Sequence, residues 1–205
     1  MKRRIAAALA GCMVTAWLAG VAGATTLFGL VDTGELYAST NGGAAWSVRA
    51  TLGVSDAVGL AAGTSTLDLF LATRSGSVYH SGDGGVSWSA VGAIGASDVS
   101  GFAIGPFGAI VALTRTGTVF TSSNGGVTWS VLSALTGSNW IALARGPQAR
   151  LDALSETGEV ARSTDQGATW TTAGAVAVSN AVSLRRLGSA LYVLAAALIL
   201  YHPWG

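Results

Sequence analysis

Four octets of a single type recur along the chain, and their tryptophans, Trp46, Trp88, Trp129 and Trp170, lie 42, 41 and 41 residues apart. A fixed period of this length signals stacked supersecondary units, each too small to bury its own apolar face, so the fold is built from copies of one group of elements. In register, the octets place Ser39, Asn41, Gly43 and Trp46; Ser81, Asp83, Gly85 and Trp88; Ser122, Asn124, Gly126 and Trp129; and Ser163, Asp165, Gly167 and Trp170. Asn or Asp at the third position can accept hydrogen bonds from the backbone ahead of it, and Gly at the fifth supplies positive φ. Together they specify a tight hairpin turn. The Trp is expected to open the following strand with a large buried ring.

The strands around these turns follow from alternating patterns. Upstream of the octets run segments such as Gly76-Ser77-Val78-Tyr79-His80 and Gly117-Thr118-Val119-Phe120-Thr121, which have the period-2 signature of half-buried strands. Before these come turns at Asp32-Thr33-Gly34-Glu35, Arg74-Ser75-Gly76-Ser77, Arg115-Thr116-Gly117-Thr118 and Glu156-Thr157-Gly158-Glu159, and before those, apolar strands such as 69–73 and 110–114. A further strand begins after each of Ser55-Asp56, Ser97-Asp98, Ser138-Asn139 and Ser179-Asn180. The unit is therefore four short antiparallel strands, and radial repetition of such sheets is the β-propeller arrangement. An all-β propeller of four-stranded antiparallel blades is the expected fold.

Composition is consistent with this and excludes several alternatives. The 29 glycines belong to turns and strand interiors, and 10% charged residues are too few for coiled-coil flanks. Mean hydropathy is +0.52. Apolar residues nevertheless run together for a membrane-spanning length only once, at residues 5–24. A formal charge of +1 with scattered Arg offers no basic stripe for nucleic acid, and one Cys excludes internal disulfides and Cys-rich zinc sites. No cofactor motif or metal-ligand spacing is present, so neither a cofactor nor a metal is expected.

The octets resemble the BNR or Asp-box repeat, Ser-x-Asp-x-Gly-x-Thr-Trp, of sialidases, some propeller glycoside hydrolases, sortilin-type receptors and photosystem II assembly-factor-like bacterial propellers. Asn41 and Asn124 depart from the usual Asp, a change that an Asx-type turn tolerates. The resemblance implies that the octets lie between the third and fourth strands of each blade, away from the ligand site, and are structural. In character the chain is closest to the non-catalytic assembly-factor-like members.

From residue 25 onward there are three strands of a first repeat, three full repeats, and a fifth unit from Asn180 to Gly205 that lacks the octet. That unit keeps an inner strand, a second strand over 191–195 and a third over 198–202, where Tyr201-His202 echoes Tyr79-His80. The ring closes as four or five blades, or needs a partner, self-association included, to complete it.

Lys2, Arg3 and Arg4 followed by an apolar stretch ending in Ala22-Gly23-Ala24 have the order of a secretory signal peptide, with cleavage expected after Ala24. The domains expected are thus a leader at 1–24 and a propeller at 25–205, in an exported, periplasmic or secreted protein. Two alternatives stand beside this: an uncleaved anchor at residues 5–24, and lipidation at Cys12, since Leu9-Ala10-Gly11-Cys12 resembles a lipobox. Aligning the repeats also puts 16–20 over 140–144, where the first repeat's missing inner strand belongs. Cleavage would leave eight basic and ten acidic residues and no Cys.

In a propeller the connections between blades and the turns between second and third strands meet at one end. That end would collect Asp56, Asp98, Asn139 and Asn180 with Asp32, Arg74, Arg115 and Glu156, making it the candidate ligand face. Two accounts compete: local capping of strand starts by Ser-Asp and Ser-Asn pairs, with solvated turn charges, or contacts to a partner. A sialidase reading would need clustered arginines, for which Arg74, Arg115 and Arg145 could be nominated, and a Tyr nucleophile. Tyr37 and Tyr79 instead occupy the repeat position that Phe120 also fills, as packing residues do. His80 is expected to face outward, and Trp140 either packs or lines a groove. The reading favoured is a non-catalytic scaffold that binds a protein partner in the cell envelope. A glycan-binding or sialidase-like glycoside-hydrolase protein is the alternative.

Overall fold

A computed structural model describes residues 15–19, 26–31, 33–63, 65, 67–105, 108–178, 180–187 and 190–195. The described strands form four four-stranded antiparallel sheets and one two-stranded sheet, each ordered as in the chain. The first sheet holds β1 (Thr15–Ala19), β2 (Thr26–Leu30), β3 (Glu35–Ser39) and β4 (Ser47–Thr51). The second holds β5 (Ala57–Ala62), β6 (Leu69–Thr73), β7 (Ser77–Ser81) and β8 (Ser89–Ala93), and the third β9 (Val99–Ile104), β10 (Ile110–Thr114), β11 (Thr118–Ser122) and β12 (Ser130–Ala134). The fourth comprises β13 (Trp140–Arg145), β14 (Leu151–Ser155), β15 (Glu159–Ser163) and β16 (Thr171–Ala175), and the last pairs β17 (Ala181–Leu187) with β18 (Ala190–Ala195). The inner strands β1, β5, β9, β13 and β17 pack in that order, giving the blades of a propeller.

Burial explains why each strand carries its sequence. β6, β10 and β14 are buried at all five positions because a neighbouring blade covers each face, which is why they read as near-continuous apolar runs. β7 and β11 are only partly buried, and the outermost β16 is exposed throughout. The core is consequently a series of inter-blade seams. Phe28, Leu30 and Leu36 meet Leu60, Leu69 and Leu71 between the first two sheets; Phe70 and Val78 meet Phe102 and Ile110 in the next. Val111 and Leu113 then meet Trp140, Leu143 and Leu151, and Leu154 meets Ala181 and Leu184. Near the axis the inner strands come so close that a Cβ on Gly59 would lie 2.6 Å from the Phe102 Cβ, and one on Gly101 2.7 Å from the Leu143 Cβ.

The four octets fold alike. Each Ser Oγ accepts from the Gly N–H four residues on, at 2.9 Å for Ser39, 2.8 Å for Ser81, 2.9 Å for Ser122 and 2.7 Å for Ser163, and donates to the Asn or Asp side chain. Asn41, Asp83, Asn124 and Asp165 accept in turn from the N–H of the residue before the Trp. The Trp rings are half-buried instead of fully buried as expected, because each indole N–H reaches back to the octet glycine carbonyl (Gly43, Gly85, Gly126 and Gly167) and so stays at the blade's edge.

Trp140 packs, 1% exposed, in the seam between the third and fourth sheets. His80 is held: its Nε2 lies 2.6 Å from Asp68 Oδ1 and its ring leans on Phe70 at 4.5 Å. Where the other blades place Phe28, Phe70 or Val111, the fourth sheet buries Asp152, whose carboxylate meets Arg162 Nε at 2.8 Å and Arg150 Nε at 3.3 Å. β1 fills the first sheet's inner position, paired with β2 from Thr15↔Leu30 to Ala19↔Thr26. β17 and β18 supply the two strands expected after Asn180, whereas 198–202 and its Tyr201-His202 pair lie outside the described residues, as does most of 1–24, Cys12 included. The series of sheets is not closed among the described residues, and Tyr192 and Leu194 of β18 are exposed. No described helix is long and apolar enough to cross a membrane.

Candidate functional site

The turns between second and third strands are built on hydroxyls. Thr73, Thr114 and Ser155 each end a buried strand, and their Oγ atoms accept from the N–H of Ser77, Thr118 and Glu159 at 2.9 Å. Each also bonds the hydroxyl of Ser75, Thr116 or Thr157 inside the turn. This closes the turn tightly and leaves the residue between, Arg74, Arg115 or Glu156, projecting from it.

The inter-blade connection is tied to the same turn. Arg74, Arg115 and Glu156 donate their backbone N–H to the carbonyls of Asp56, Asp98 and Asn139 at 2.7, 2.9 and 2.8 Å. Their own carbonyls then receive the N–H of Val99, Trp140 and Ala181 in the next blade. The Asp56 carboxylate accepts from Ser75 N–H at 2.9 Å, and that of Asp98 from the N–H and hydroxyl of Thr116 at 3.2 and 3.1 Å. Asn139, with a left-handed backbone at φ 61, ties its turn through its carbonyl. Asp56 and Asp98 therefore hold the turn 19 and 18 residues further along their own blade, a longer-range tie than local capping of their own strand starts, and the projecting turn residues are left to face outward.

Those residues converge. Arg74, Arg115 and Glu156 line a cavity of about 150 Å³ with Val58, Ser100, Ile141, Ala181 and Val182. Val58, Ser100, Ile141 and Val182 are the second residues of β5, β9, β13 and β17, so the cavity sits where the inner strands begin. Arg115 Nη2 pairs with Glu156 Oε2 at 3.0 Å, whereas no described carboxylate lies within ion-pair distance of Arg74. Asp32, the matching residue of the first sheet, lies outside the described residues. A second cavity of about 60 Å³ lies between the inner strands, bordered by Gly59, Gly101 and Leu143. Both are smaller than the roughly 300–1,000 Å³ of enclosed small-molecule sites. Such a surface suits the reception of a side chain or chain terminus from a larger partner.

Arg145 does not join the cluster. It ends β13, whose first residue, Trp140, donates to the Arg115 carbonyl, so a full strand, roughly 16 Å at normal strand rise, separates it from the Arg74 end. The described residues also hold no group of three His, Cys, Asp or Glu placed to bind a metal. The turn charges were legible in the sequence. The apolar ring beneath them was not, because Val58, Ile141 and Val182 look like any strand residue until the repeats are superposed.

The octet end has its own electrostatics. Hydrogen bonds from the Ser87 hydroxyl and backbone, and from Ser81, hold the Asp83 carboxyl well below the usual carboxylate range. Thr169 and Ser163 do the same for Asp165, at about 2. These are turn-fixing carboxylates, acceptors only, and not acid–base groups near neutrality.

No known protein family matches the chain. No curated protein matches it either. Solved structures do, as folds. A chain of a nidogen/laminin complex superposes with a TM-score of 0.70 at 11% identity, over 83% of this chain and 67% of that one. YCF48 bound to D1 peptide superposes at 0.54 with 19% identity, over 84% of this chain and 58% of that one. The GH74 enzyme of Niastella koreensis superposes at 0.53 with 21% identity over 77% of this chain, which spans only 23% of the enzyme. At these identities the likeness establishes a shared propeller fold.

Proposed function

We propose that the chain is a non-catalytic, exported propeller, of the Asp-box kind, that binds a protein partner at the end carrying Arg74, Arg115 and Glu156. The observation that carries this reading is the meeting of those three residues around a shallow cavity on turns fixed by Asp56 and Asp98. Arg74 supplies a guanidinium with no described carboxylate beside it, and Arg115 one already shared with Glu156, so the face suits an anionic or carbonyl-rich surface. That a structural neighbour, YCF48, has been solved with a peptide bound supports protein binding as the function. Export rests on the leader-like residues 1–24, with anchoring by residues 5–24 or lipidation at Cys12 as the alternative modes of membrane attachment.

The GH74 neighbour keeps a glycan-active reading open to test. Against it stands the separation of Arg145 from Arg74 and Arg115, so these three arginines do not form one clamp for a sugar carboxylate. Incubation with a fluorogenic sialoside should give no turnover above buffer. Turnover that disappears on Arg115→Ala would overturn the non-catalytic reading.

A further inference from the structure

Residues 15–19 answer to two demands at once. In sequence they belong to the leader-like apolar stretch; in the fold they are β1, paired along their whole length with β2. The two uses are compatible in composition, because both favour short, uncharged, apolar segments. They are incompatible in outcome, because cleavage after Ala24 severs β1 from Thr26, its partner residue at the start of β2.

What cleavage would leave behind is defined by the rest of the molecule. Each of the other sheets has an inner strand, and these pack in sequence from β5 to β17. Without β1 the first sheet would present Thr26–Leu30 as a bare edge of five residues, with unpaired main-chain donors and acceptors beside β5. The edge is unsuited to stay bare: Phe28 and Leu30 are each 3% exposed, and β2 has none of the charges or prolines that blunt natural edges. Strand addition is the physical solution for such an edge, with main-chain hydrogen bonds giving affinity and uncharged side chains giving fit.

We propose that the inner edge of β2 is a strand-acceptor site for an extended, uncharged, apolar peptide in antiparallel register, and that Thr15–Ala19 is its occupant, covalently joined before cleavage and held in trans after it. A leader of this protein is thereby retained as a structural strand. The inference rests on the leader reading of residues 1–24 and makes no use of the arginine face, so it and the partner-binding reading can fail separately.

The test uses the 205-residue chain with a site-specific protease sequence inserted after Val21, folded and then cut. The severed fragment should co-elute with the protein under native conditions and separate on denaturation. Excess labelled peptide spanning residues 13–21 should replace it, while uncut protein takes up no label. The same peptide carrying Trp17→Pro and Leu18→Pro should bind about a hundredfold more weakly or worse, because adjacent prolines remove a ladder donor whichever residue faces β2. Loss of the fragment on cutting with no uptake of label, or equal uptake of the proline peptide, would overturn the proposal. A second measurement needs no insertion. Trp17→Pro/Leu18→Pro in the intact chain should raise amide exchange in Thr26–Leu30 and leave β9–β10 protected, and unchanged exchange there would contradict the assignment.

Discussion

Gln166 stands where the other octets place Gly42, Gly84 and Gly125, and it adopts the same left-handed backbone, φ 62 against 69, 71 and 72. A side chain in that conformation costs roughly 1–2 kcal/mol, partly offset by the lower unfolded-state entropy of a non-glycine residue. Gln166→Gly is therefore expected to stabilise the protein by about 0.5–1 kcal/mol in a denaturant titration, whereas the same change at most turn positions would destabilise it. The octets also make a titration prediction. Asp83 and Asp165 release their protons more readily folded than unfolded, where a carboxyl titrates near about 3.9. Their contribution is thus complete above that value and is lost as pH falls, toward about 2 for Asp165 and lower still for Asp83. Asn41 and Asn124 make the equivalent bonds without titrating, so Asp83→Asn should flatten the acid unfolding curve measured by fluorescence while leaving the turn formed. Both features were half legible. The spacing of Ser, Asn or Asp, Gly and Trp located every turn, but it did not reveal that the indole would bond back to the turn carbonyl and hold the ring at the surface.

At the scale of elements, the strands follow from alternation and are legible in the sequence, whereas the seams emerge only once the buried runs of adjacent blades are packed together. What sequence patterning misses is how closely the inner strands approach. Gly59 and Gly101 are ordinary strand glycines in the sequence, yet each faces a Cβ of the next blade's inner strand. Gly101→Ala should cost about 1–3 kcal/mol through overpacking against Leu143, read as a lower denaturation midpoint with unchanged slope. The recurring bulge between third and fourth strands, at Leu36/Tyr37, Val78/Tyr79, Val119/Phe120 and Val160/Ala161, was equally invisible, because no residue type marks it. It strengthens the twist that each blade needs. Asp152 escaped notice for a different reason: one acid within an apolar strand looks like a solvent-facing position. Its partners Arg150 and Arg162, two and ten residues away, are recognisable only once β14 and β15 are paired.

Across the whole molecule the repeat acts as a machine for making two unlike ends. The octet end is nearly the same in every complete blade and serves the seams, as when Arg49 of one blade donates to the Gly84 carbonyl of the next. The opposite end is equally regular in its backbone bonds but varies in the residue each turn projects, Arg74, Arg115 or Glu156, and that variation is where a repeat protein differentiates its surface. We propose that this varied end receives a protein partner. Quantitative capture from an envelope extract tests it, comparing the immobilised chain with Arg74→Ala/Arg115→Ala and with Arg145→Ala, a cation removed from the other end. A set of proteins should be retained by the unaltered chain and by Arg145→Ala but lost from the double variant; equal capture by all three would rule out this end as the binding face.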